Sequence, residues 1–149
     1  MVELRKRLSF ILESPEHDTN SKLLKICQVL DKEISYYNWT GFYFKNGDKD
    51  ELILGPYVGA ETDHTIIPFG KGICGQVAVS GETFVVPDVW TQDNYLACSL
   101  DTKAEIVVPI FKNGENIGQI DIDSHSKDPF TKEDEELLNW LCVEVAKIL

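Results

Sequence analysis

The sequence predicts an α+β fold in which amphipathic helices pack on one face of an antiparallel sheet. Three observations lead there. Apolar residues recur with helical spacing at both ends of the chain. Between them the period changes to two. Short turn signals such as Asn113-Gly114 join the central strands, as antiparallel pairing requires.

The elements follow in chain order. Val2, Leu4, Leu8, Ile11 and Leu12 mark a first helix, broken at Ser14-Pro15. Asp18, Asn20 or Ser21 can cap a second helix with Leu23, Leu24, Ile26, Cys27, Val29, Leu30 and Ile34 inward. Cys27 lies on that apolar stripe and reads as a core residue. Residues 39–45 form a strand, Asn46-Gly47-Asp48 turns the chain, and residues 51–58 return beside it. A short strand over 64–67 is closed by Pro68. The glycine-rich stretch 70–81 opens a short helix that Gly81 stops. Residues 83–86 form a strand ended by Pro87. Residues 88–103 are polar and too long for an ordinary connection, a mark of functional loops. A hairpin follows, 105–111 with 117–123. Thr131, with Asp134 in capping-box position, starts a last helix whose apolar set is Leu137, Leu138, Leu141, Cys142, Val145 and Leu149. Cys142 therefore also reads as core.

A chain of 149 residues is expected to form one domain with a true core. The N-terminal helices span about 2–36, the sheet about 39–124 and the C-terminal helix about 131–149. The net charge of −11 argues against nucleic acid and anionic membrane as partners. No apolar run approaches the roughly 18–20 residues that span a bilayer. The basic start is followed by too short an apolar stretch for a signal peptide, so a cytoplasmic location is expected. Cysteines are usually reduced there, and any disulfide would be transient.

Alternation also sorts the side chains by face. Ile106, Val108, Ile110, Ile120, Ile122, Phe42 and Phe44 suit a helix-covered face. Trp39, Tyr43, Glu105, Asp121 and Asp123 then share the other, with the two aspartates about 7 Å apart along their strand. Such a set can be a solvated face. It can also line a pocket for a small amine beside an apolar body.

Asn38-Trp39-Thr40-Gly41-Phe42-Tyr43, Leu54-Gly55-Pro56, the stretch from Ile67 to Gly75, Pro87-Asp88-Val89, Ala97-Cys98, Glu105-Ile106-Val107-Val108-Pro109 and Gly118 to Ser124 together resemble the GAF-fold free methionine-(R)-sulfoxide reductases. The resemblance implies a central antiparallel sheet with the terminal helices on one face and a ligand pocket on the other. It implies a substrate pocket of Trp39, Tyr43, Glu105, Asp121 and Asp123. Cys98 matches the attacking thiol, and Cys74 the middle one of three family cysteines. His64 stands where the family has its first cysteine, often assigned as the resolving partner. Tyr95-Leu96-Ala97-Cys98-Ser99 replaces the family's usual His-Ile-Ala-Cys-Asp.

Sulfoxide reduction by thiols needs an attacking thiolate, an acid for the departing oxygen and a second thiol. Cys98 lies on the polar loop, off any apolar stripe. Clustered carboxyls raise one another's pKa, so one of Glu105, Asp121 and Asp123 can stay protonated and serve the oxygen. Cys74 falls near a helix start, which favours thiolate. It can resolve Cys98, or simply pack the glycine turn and leave resolution to an external thiol. His64 is either a strand-end residue or a neighbour that lowers the Cys98 pKa. No C-x2–4-C or H-x3–5-H pair is present, so no metal is expected. No cofactor is expected either, only an external reductant such as thioredoxin. Two rivals accompany the enzyme: a binding module without turnover, and an interaction protein that pairs as a homodimer through its terminal helices.

Overall fold

The computed structural model describes residues 1–96 and 100–149. Among the described residues four α-helices, α1 (Val2–Glu13), α2 (Thr19–Glu33), α3 (Gly72–Ser80) and α4 (Lys132–Ala146), accompany six strands. The strands are β1 (Trp39–Lys45), β2 (Glu51–Val58), β3 (Ile66–Pro68), β4 (Phe84–Val86), β5 (Ala104–Lys112) and β6 (Glu115–Ser124). They form one antiparallel sheet in the order β3-β2-β1-β6-β5-β4. No helix among the described residues is long and apolar enough to cross a membrane.

The predicted caps and turns are largely in place. Asp18 caps α2 by accepting from the Ser21 N–H at 2.8 Å. Gly81 ends α3 in the left-handed conformation. Asn113 and Gly114 both take positive φ, as a two-residue hairpin of this kind demands. Asp134 is fully buried at the start of α4, where its carboxylate accepts from the Thr131 N–H and the Tyr36 and Tyr37 hydroxyls.

Several boundaries shift. β3 runs over Ile66–Pro68 rather than 64–67, because Tyr43 Oη donates to the His64 carbonyl at 2.9 Å and Thr62 Oγ1 accepts from its N–H. β4 starts at Phe84, not at residue 83. α2 ends at Glu33, and α4 ends at Ala146 before a final turn. Leu24, expected on the inward stripe, is exposed, since it falls just outside the arc that Leu23, Ile26, Cys27 and Leu30 bury.

Two hydrophobic clusters lie on opposite faces of the sheet. Phe42, Ile106, Val108, Ile110, Ile120 and Ile122 meet α2 and α4 on one face, and α1 packs chiefly against those two helices. Trp39, Tyr43 and Val107 meet α3 and the Val89 turn on the other. The alternation had separated the same two sets.

Candidate functional site

The site begins with register. Asp123 on β6 pairs with Trp39 on β1 and Glu105 on β5. Two residues along, Asp121 pairs with Gly41 and Val107. Two further, Gln119 pairs with Tyr43 and Pro109. Successive rows on one face therefore carry an aromatic, an acid and an acid, then a glycine, an acid and a valine. All five expected pocket residues share this face, and none is solvated. Trp39, Tyr43, Glu105, Asp121 and Asp123 are each at most 5% exposed, which excludes the solvent-facing alternative.

The aromatic wall depends on a glycine. A Cβ on Gly41 would lie 2.5 Å from the Trp39 ring and 2.7 Å from Tyr57 Cβ. With that space open, Trp39 stacks on Tyr57 at 5.3 Å and on Tyr43 at 6.3 Å between centroids. Its indole N–H donates to the Ala60 carbonyl.

The acidic wall is tight. Cys74 Sγ lies 3.8 Å from Glu105 Oε2. Cys74 Sγ and one carboxylate oxygen each of Glu105 and Asp121 lie within 4.8 Å of one another. Asp121 Oδ1 and Asp123 Oδ1 are buried without a hydrogen-bond partner in the protein. Two orphaned acceptors on one wall are what an incoming ammonium or other multi-proton donor would satisfy. Burial pushes the Asp121 carboxyl above its ordinary range, with hydrogen bonds from Glu105 and Cys74 opposing. Burial pushes Asp123 well up, and the charge of Asp121 adds to it. An acid held neutral was expected from like-charge crowding; removal from water is the larger cause.

Cys74 corrects an expectation. It is near the start of α3, yet burial and the charges of Asp121, Glu105 and Asp123 push its thiol well up. The helix terminus does not produce a ready thiolate here. Cys27 and Cys142 are core residues, as their stripes indicated. Cys98 lies outside the described residues.

A narrow cleft, with room for little more than a single water, opens against this wall. Tyr43, His64, Ile67, Cys74, Glu105 and Asp121 line it, together with Lys71 and Leu96. Trp39 and Asp123 lie on the same face but do not line the cleft itself. Residue-type reasoning missed Gln119, whose Nε2 donates to the Cys74 carbonyl at 3.1 Å and ties α3 to the sheet. Its alternation with Asp121 was the available signal. It also missed Asn94, which is bound through tertiary contacts. Asn94 Nδ2 donates to the Gly70 carbonyl, and its Oδ1 accepts from the Gly72 N–H at 3.0 Å.

The GAF domain model matches residues 23–149. The free methionine-R-sulfoxide reductase of Saccharomyces cerevisiae is 43% identical over 112 residues, 74% of this chain. The chain covers 62% of that protein's length. The Escherichia coli protein of the same name is 35% identical over 81% of this chain and 72% of its own. Among solved structures, free methionine-R-sulfoxide reductase from Neisseria meningitidis in complex with its substrate superposes with a TM-score of 0.89 at 35% identity, covering 97% of this chain and 84% of that one. With this sheet, this buried acid wall and these relatives, the chain belongs to the GAF-domain family, in the branch of the free methionine-R-sulfoxide reductases.

Proposed function

We propose that this protein reduces free L-methionine-(R)-S-oxide to methionine by cysteine thiol chemistry. One observation carries the proposal: two buried carboxylates, each with an unpartnered oxygen, stand on the same sheet face as a stacked aromatic wall. That pairing fits an amino-acid ammonium next to a small apolar end. The family relatives, two of them solved in complex with substrate, support the substrate class.

Cys98 attacks the sulfoxide sulfur as thiolate. The sulfur takes two electrons and leaves as the thioether, the oxygen takes a proton, and Cys98 becomes a sulfenic acid. A neutral Asp121 is suited to supply that proton, with Asp123 behind it in the wall, because burial holds both carboxyls protonated to higher pH than usual. Tyr43 packs the methyl-bearing end with Trp39 stacked behind it, and Glu105 completes the ammonium wall. A second thiol then condenses with the sulfenic acid, releasing water and leaving a disulfide. Cys74 is one source of that thiol. Its raised pKa makes an external thiol the stronger competitor. A thioredoxin-like dithiol closes the cycle without a further cofactor. A cytoplasmic location suits this chemistry. Val2 and Phe10 of α1 are exposed, which supports a homodimer through the terminal helices.

The second reading is a binding module in the same pocket without turnover, favoured by His64 at the family's first-cysteine position. Thioether formation from free methionine-(R)-S-oxide with dithiothreitol decides between them. Turnover is expected for the wild-type protein and absent in Cys98→Ser, which still binds the amino acid. Binding without turnover by the wild type would sink the enzyme.

A further inference from the structure

We infer that the base of the cleft is a zinc-class metal site formed by Cys74, Glu105 and Asp121. Sequence spacing hides it, because its donors come from α3, β5 and β6. The register of β5 and β6 brings the two carboxylates together, and Gln119 holds the Cys74 backbone above them. One thiol and two carboxylate oxygens then lie within 4.8 Å of one another, all buried. Donors around tetrahedral Zn²⁺ stand about 3.5 Å apart, given bonds of about 2.0–2.3 Å. Small side-chain rotations close that difference. Asp121 supplies the independent sign: the residue is 1% exposed and lines the cleft, and its buried Oδ1 has no hydrogen-bond partner in the protein.

The donor set selects the ion. A thiolate with two carboxylates suits borderline-soft Zn²⁺ or softer Cd²⁺, and sulfur disfavours Mg²⁺ and Ca²⁺. Three protein donors and a fourth position open to the cleft match the coordination of an accessible zinc. His64 also lines the cleft. Binding converts the Cys74 thiol to a metal thiolate and displaces the proton of any bound carboxyl that is neutral, and these protons go to solvent. The ion occupies the wall assigned to the substrate ammonium, so it acts as a competitive inhibitor. The site itself follows from donor geometry and does not depend on turnover.

Titration of the reduced full-length protein with Cd²⁺, followed by thiolate-to-metal absorbance in the ultraviolet, tests it alongside Zn²⁺ calorimetry. One equivalent is expected to bind, with at least one proton released. Cys74→Ser should abolish the absorbance band, and Asp121→Asn should weaken Zn²⁺ at least tenfold; both are near-isosteric and their folding is checked by circular dichroism. Cys98→Ser should leave the stoichiometry and the band unchanged. Absence of binding overturns the site, as does a band that survives Cys74→Ser or disappears with Cys98→Ser.

Discussion

At the residue scale, the unusual feature is a pair of carboxyls kept where a stable core would put apolar groups. Asp123 is 2% exposed and lies between Trp39 and Glu105 in the sheet. Burial raises its pKa. An unfolded aspartate loses its proton near pH 4, whereas the folded one holds it to higher pH. Above about pH 4 the folded state therefore binds more protons than the unfolded state, and stability falls as pH rises through that window. It levels off once the folded carboxyl has ionised as well. Asp123→Asn removes this penalty. At pH 7 the variant should be more stable than wild type by about 1–3 kcal/mol, and at pH 4 about equal. Chemical denaturation at the two pH values checks this, and a gap independent of pH would contradict it. The same variant should lose affinity for the amino acid, the usual relation between a destabilised wall and its function.

At the element scale, the Asn94 and Gln76 side chains fasten the loop after β4 to α3 and the turn before it. Asn94 bridges Gly70 and Gly72, and Gln76 Nε2 reaches the Asn94 carbonyl at 3.3 Å. A Cβ on Gly72 would meet Leu96 at 2.9 Å, and the φ of +64° at this position also requires glycine. Leu96 is thereby pressed onto the helix start and forms part of the cleft lining. Asn94→Ala cuts both side-chain bonds, worth about 1–2 kcal/mol to the placement of Leu96. Because Asn94 is exposed, global stability should hardly change. Steady-state kinetics should show KM for the sulfoxide rising about tenfold, with the thermal midpoint nearly constant. A lowered midpoint with unchanged KM would make Asn94 merely structural.

At the scale of the whole molecule, one sheet separates a helix-packed core from a ligand-facing one, and this division was legible in the sequence. Period-two alternation told Phe42, Ile106 and Ile120 from Trp39, Glu105 and Asp121, since face follows directly from residue parity. Parity gives no depth: it could not say that the acids are buried, or that Trp39 and Asp123 stand beside the cleft instead of in it. Nor could it show that Cys74 meets Glu105 and Asp121, because that contact depends on how α3 lies across the strands. The separation itself can be tested. Leu138 of α4 is fully buried in the helix-side core, and Leu138→Ala should cost about 2–5 kcal/mol. None of that loss should reach the opposite face. A ligand at 100 times its Kd adds about 2.7 kcal/mol to the folded state, and Leu138→Ala should retain that increment in full. Asp121→Asn should do the reverse, holding or raising the basal stability and losing the increment. Denaturation curves with and without methionine sulfoxide distinguish the two variants. If Leu138→Ala also lost the increment, the sheet would have to transmit packing changes from the helices to the pocket, and the two cores would be one cooperative unit.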